Sequence, residues 1–260
     1  VAVSKKPTFR REPEEEYIYR SLDRAELFRK VRYGLFDAAG ERVDKAFGYS
    51  YQSGESKTSH AYDNWERDKP QIADRIPFFL PELMDAVAGG YDVLLTAGEK
   101  DACASVNAWG MVATTMHQGE SVGWDNQQIA WLPRFDRLRE SGCERSRLWI
   151  VADRDPTGWL HAWRTYRQLL NGKVGAWDKH YVCVLAPAVH GHGADLADHI
   201  ALGERAGSFD ELEIVDLHWL EEEAGDALVA RHRTGGAKYW QGSGPYAAGY
   251  ELPRQYEQES

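Results

Sequence analysis

The sequence predicts an α/β fold: a mostly parallel sheet with flanking helices, preceded by a small antiparallel β-rich subdomain. Three observations predict it. In the middle of the chain, short apolar runs alternate with stretches of helical spacing. Two of those runs stop abruptly in small and charged residues, as strands do where they turn straight into helices. The N-terminal quarter instead carries short Tyr-, Phe- and Val-rich segments separated by turn-like residues.

Taken in order, residues 1–16 are polar, include the run REPEEE, and read as a leader. Residues 17–74 form the β-rich part. There "YIYRSLDRAELFRKVRYGLFDAAGERVDKAFGYSY" reads as an antiparallel meander with turns at "SLDR" and "DAAGE". "IPFFLPELMDAVAGG" then reads as a loop and a short helix stopped at Gly89-Gly90. The α/β domain occupies residues 75–205, with strands at 93–96, 111–114, 148–152 and 181–185 and helices at 100–109, 124–141, 158–171 and 196–202. Residues 206–260 are an extension in which "SFDELEIVDLHWLEEEAGDALVARH" supplies one more strand and helix before a Gly- and Tyr-rich tail.

Composition narrows the function classes. A chain of 260 residues with 43% hydrophobic and 12% aromatic content can bury a sizeable core. It has no run of about 18 apolar residues to span a membrane and no apolar stretch of a signal peptide near its start, so it reads as cytoplasmic. Three cysteines, Cys103, Cys143 and Cys183, lack C-x-x-C spacing and argue against a disulfide framework or a zinc ribbon. A net charge of −10 disfavours broad contact with phosphate backbones, so any nucleic-acid binding has to be local. Two stretches could supply it: Arg24, Arg29, Lys30 and Arg32 in the meander, and Arg134, Arg137, Arg139, Arg145 and Arg147 further on. Solvated faces balanced by neighbouring acids account for either stretch equally well.

Two stretches carry the chemistry. "DVLLTAGEKDACASV" (92–106) runs from a buried strand through Ala97-Gly98 into Glu99, Lys100 and Asp101. "RLWIVADRDPTGWLHAWRTYRQLL" (147–170) ends its strand in Asp153-Arg154-Asp155. Residues i and i+2 of an extended chain share a face, so the two carboxylates can converge at the strand's carboxyl end. Two like charges that close together call for a cation, and magnesium, a hard oxygen-seeking ion, is the natural one. The same Asp155-Pro156 pair is also the signature of a helix N-cap followed by proline at the first helical position. His190, His192 and His199 have a spacing compatible with a metal, but an exposed Gly-rich loop reads better without a nearby cysteine. Asp195 and Asp198 are secondary candidates for the same crevice, and His117 is either a phosphate contact or a turn residue. Trp149, Trp159 and Trp163 read as core.

Together, "LLTAGEKDACASVNAWGMVATT" (94–115), "IVADRDPTGWLHA" (150–162) and "GHGADLADHI" (191–200) resemble the Toprim domain of bacterial-type DNA primases and of phage and plasmid primase-helicase proteins. The match covers about residues 76–202. The resemblance implies a compact, mostly parallel sheet. It also implies magnesium- or manganese-dependent nucleotidyl or phosphoryl transfer on nucleic acid, as in RNA primer synthesis, with nuclease action as the related alternative. It implies Asp101, Asp153 and Asp155 as catalytic candidates and metal ligands, and Glu99 is a catalytic candidate as a substitute for the family's turn glutamate. Arg29, Lys30, Arg32, Lys100 and Arg154 are the nucleic-acid-binding candidates. Single-stranded DNA template, nucleotides, a replicative helicase and a zinc-binding primase domain are the implied partners, in the cytoplasm of a bacterial or phage-infected cell.

One position departs from the pattern. The family's glutamate immediately precedes the turn glycine, where this chain has Ala97. A methyl group neither moves a proton nor ligates a metal. Two readings follow: an enzyme in which Glu99 substitutes, or a catalytically degenerate Toprim domain that serves as a nucleic-acid- or protein-binding module. Other doubly wound proteins with strand-end aspartates, such as phosphatases or receiver-like domains, lack their nucleophile signature and lysine here. "TAGEKDA" also lacks the spaced glycines of a dinucleotide site.

Overall fold

The computed structural model describes residues 9–51, 69–119, 124, 126–132, 147–171 and 177–233. The chain divides into two compact units, the first ending at Pro81 and the second beginning at Glu82.

The first unit is the expected meander: β1 (Arg10–Arg20), β2 (Glu26–Phe36) and β3 (Arg42–Ser50) form an antiparallel sheet in that order. Period-2 alternation puts Tyr17, Tyr19 and Phe28 on a buried face. There Tyr19 stacks on Phe28 with ring centroids 4.3 Å apart, and Phe78 packs edge-on against Tyr17. Residues 10–16, read from composition as part of a polar leader, are instead the first half of β1. Their acids are matched by arginines across the sheet. Glu14 takes Arg42 at 2.7 Å and Arg32 at 3.3 Å, while Glu16 takes Arg29 at 3.1 Å. Residues 1–8 of that leader lie outside the described residues.

The chain passes from the first unit to the second within α1 (Leu80–Gly89), which ends where Gly90 turns to φ +70°, a conformation that glycine adopts at little cost. A five-stranded sheet follows, built from β4 (Val93–Leu95), β5 (Ala113–Thr114), β6 (Leu148–Val151), β7 (Val182–Ala186) and β8 (Glu213–Ile214). Its spatial order is β5-β4-β6-β7-β8. The first four strands are parallel and β8 is antiparallel to β7. The helices are α2 (Glu99–Trp109), α3 (Asn126–Ile129), α4 (Pro156–Asn171), α5 (Leu196–Ile200) and α6 (Leu217–Arg233). The rest of the helix expected over 124–141, the arginines at 134–145, Cys143 and the tail from 234 lie outside the described residues.

The core forms where alternate strand residues meet the helices. Val93, Leu95, Leu148, Ile150, Val182 and Val184 cluster with Trp159, Leu160, Trp163 and Leu169 of α4 and Leu220 and Ala224 of α6. Trp159 meets Trp219 edge-on at 5.0 Å, joining α4 to α6. Trp149, Trp159 and Trp163 are buried, as core tryptophans should be. No helix among the described residues is long and apolar enough to cross a membrane.

Candidate functional site

The strand order fixes where a site can form. From β4 the chain crosses through α2 to β5 on one side, then returns to place β6 on the other, so the order reverses between β4 and β6. In open α/β sheets the crevice at the carboxyl ends of such a strand pair is where ligands bind. Both charged turns singled out in the sequence, 96–101 after β4 and 152–155 after β6, stand at those ends.

The first turn is tight and largely buried. Thr96 donates its hydroxyl to the Gly98 carbonyl at 3.1 Å, and Ala97 is 6% exposed. Gly98 is the N-cap of α2 with extended backbone, so α2 opens on Glu99, Lys100 and Asp101. Acids in the first turn complement the positive end of the helix dipole. Glu99 and Asp101 are buried at 3% and 5% exposure, and Lys100 is half-buried.

The second turn is held by a cap and a close contact. Asp155 Oδ1 accepts the N–H groups of Thr157 and Gly158, each at 2.8 Å, and Pro156 is the first residue of α4. This is the N-cap arrangement that Asp-Pro can signal. Gly158 packs directly against the strand end, where a Cβ would lie 2.4 Å from the Asp153 carbonyl oxygen. Only glycine fits there, which explains its spacing after the D-x-D pair.

The segment 193–198 joins the two turns. Arg154 donates its N–H to the Ala194 carbonyl at 3.0 Å, and Gly193, at φ +75°, donates to the Arg154 carbonyl at 3.0 Å. On the other turn, Ala197 donates its N–H to Asp101 Oδ1 at 3.1 Å, and Lys100 pairs with Asp195. Asp195 also caps α5 in a reciprocal box with Asp198. Burial pulls the Lys100 ammonium down, but the hydrogen bond and charge of Asp195, with Asp101 and Asp198 nearby, outweigh it and hold its pKa above the ordinary value.

The remaining candidates fall elsewhere. Arg154 turns its guanidinium to the Pro187 carbonyl and to Glu213 of β8, whose other oxygen lies 3.1 Å from His190. Arg29 is paired with Glu16 and Glu26, Arg32 with Glu14 and Glu15, and Lys30 is buried with its ammonium 4.4 Å from the centre of the Phe47 ring. Those three belong to the first unit. His199, fully buried, accepts the Ala188 N–H on Nδ1 at 3.2 Å and bonds the Ser208 carbonyl through Nε2 at 2.9 Å. Both ring nitrogens are therefore occupied, so the metal spacing of His190, His192 and His199 is realised as a structural clamp plus two exposed loop residues. His117 is buried in the turn that follows β5.

Magnesium or manganese needs oxygen ligands converging on one point. Asp101 and Asp155 each already spend one oxygen on backbone N–H groups, and Ala97 offers no side-chain oxygen. Among the described residues no group of three His, Cys, Asp or Glu side chains is arranged to hold a metal ion. Sequence reasoning nominated Lys100 and Arg154 but missed that Asp195 and Glu213 would pair with them. Those partners lie 95 and 59 positions away, and no local pattern signals such pairs.

No family model and no curated protein matches the chain. Among solved structures it is similar to the RNA polymerase domain of the Mycobacterium tuberculosis primase DnaG, with 16% identity over 88% of this chain and 62% of that one, at a TM-score of 0.46. It is similar to the E. coli primase catalytic core at 12% identity, over 85% of this chain and 56% of that one, with a TM-score of 0.43. A DNA primase domain from Pseudomonas aeruginosa gives 15% identity, 83% and 55% coverage, and a TM-score of 0.42. The chain spans about six tenths of these primase chains or less.

Proposed function

We propose that this chain is a Toprim-type module of a primase-like replication protein, one that engages nucleic acid without itself assembling a phosphotransfer centre. Ala97 carries the reading. At the turn where the sequence resemblance implies a glutamate there is a buried methyl group, and loss of a general base typically costs a factor of about 10² to 10⁴. The neighbouring acids support it, since Asp101 holds the Ala197 N–H and Asp155 caps α4. Glu99, the residue that would have to substitute, is 3% exposed at the first position of α2. Single-stranded DNA, with a replicative helicase or a zinc-binding primase domain as protein partner, belongs to the same reading.

The test pairs two assays on the full chain: fluorescence anisotropy with labelled single-stranded DNA, and primer synthesis with template, nucleotides and either magnesium or manganese. The expected result is DNA binding without product, and still no product from Ala97→Glu. Template-dependent product from the unaltered chain would overturn the non-catalytic part. Absence of DNA binding at low salt would overturn the nucleic-acid part.

A further inference from the structure

The two cations that sit inside the charged turns share one property. Each is held by a carboxylate that arrives from the closing part of the fold. Lys100, in the first turn of α2, is paired with Asp195, the cap of α5. Arg154, between the two aspartates of the second turn, is paired with Glu213 of β8. The carboxylates do not come from the cations' own helices, where i,i+4 pairing would be ordinary surface chemistry.

A carboxylate on a guanidinium or ammonium offers the same charge-assisted oxygen acceptors that a phosphate would. We propose that Asp195 and Glu213 are built-in phosphate surrogates, occupying Lys100 and Arg154 so that nucleic-acid phosphate must displace the chain's own carboxylates to bind at either strand-end turn. The inference rests on the nucleic-acid reading above and adds competition from within the chain. It accounts for a site whose turns carry cations although the protein as a whole is at −10. The Lys100 and Asp195 side chains are 34% and 20% exposed, so the pair lies within reach of solvent and of a ligand. At the second pair Glu213 is the more exposed member, at 43% against 16% for Arg154, so displacement there begins by swinging the glutamate away.

The substitutions Asp195→Asn and Glu213→Gln remove the surrogate charge with little change in shape, and asparagine is as good an N-cap as aspartate, so α5 keeps its start. Binding of labelled oligo-dT is followed by anisotropy across a salt series, with circular dichroism as the check on folding. Each substitution should tighten binding about two- to fivefold at low salt. Each released cation should also steepen the log–log salt dependence by about 0.7 for single-stranded DNA. Glu211→Gln makes the same charge change on an exposed residue near β8 and serves as the control. Adding Lys100→Ala to Asp195→Asn should return binding to the wild-type level. Equal tightening by Glu211→Gln, or wild-type binding unchanged by Asp195→Asn and Glu213→Gln, would overturn the competition alone. No binding by any variant would overturn the nucleic-acid reading together with it.

Discussion

The backbone N–H of Ala197 donates to Asp101 Oδ1 at 3.1 Å, so the first turn of α5 is fastened to the first turn of α2. A carboxylate that the sequence marks for catalysis is here the acceptor for one of the N–H groups a helix start leaves without an intrahelical partner. Asp155 likewise accepts N–H groups at a helix start, so both acids are testable by stability as well as by activity.

Asp155 should behave as a cap. Asp155→Ala is expected to cost about 1 kcal/mol, within a range of about 0.5–2, whereas Asp155→Asn and Asp155→Ser should cost little because both cap well. Urea denaturation with and without magnesium measures this. The expected curves superimpose, and a magnesium-dependent shift lost in Asp155→Asn would show a metal role instead.

Gly158→Ala should be more damaging than its size suggests. A methyl group 2.4 Å from the Asp153 carbonyl cannot be accommodated unless the start of α4 or the end of β6 moves. Overpacking of this kind typically costs about 1–3 kcal/mol. Alanine is otherwise the better helix residue, so any stabilisation would contradict the contact.

His161 should make the fold acid-sensitive. It is buried on α4 with Nδ1 lacking a hydrogen-bond partner among the described residues, and burial, helped by the nearby Arg164 charge, lowers its pKa to about 4. The unfolded chain takes up this proton near pH 6.5 and the folded chain does not. Stability is therefore full above about pH 6.5, falls as the pH drops toward about 4, and loses no more from this group below that. The loss is about 3 kcal/mol at most. Urea midpoints at several pH values should show that slope, and His161→Leu should flatten it.

Much of this was legible from the residues. Short Tyr-, Phe- and Val-rich segments separated by SLDR and DAAGE announced the meander, and the runs at 93, 148 and 182 announced parallel strands because buried strands read as continuous apolar stretches. Residues 10–16 were misread because charge alone suggests a loose segment. A strand can carry acids on an exposed face when arginines stand opposite, and Arg32 and Arg42 are far from Glu14 in sequence. At the site, Asp155-Pro156 held both the cap and the metal reading, and local spacing could not separate them. The cap is established by the N–H groups of Thr157 and Gly158, which both point at Asp155 Oδ1.

The ties that complete the crevice join residues 95 and 96 positions apart, Lys100 to Asp195 and Asp101 to Ala197. Closing so long a loop must be paid for in chain entropy before the contacts return anything, so such contacts form after local ones. Strands, helices and the β4–β6 pairing can thus assemble while both acid turns still lack their fastenings. The crevice is therefore expected to complete after the sheet and to exchange its amide protons ahead of the core strands, which native-state hydrogen exchange measures.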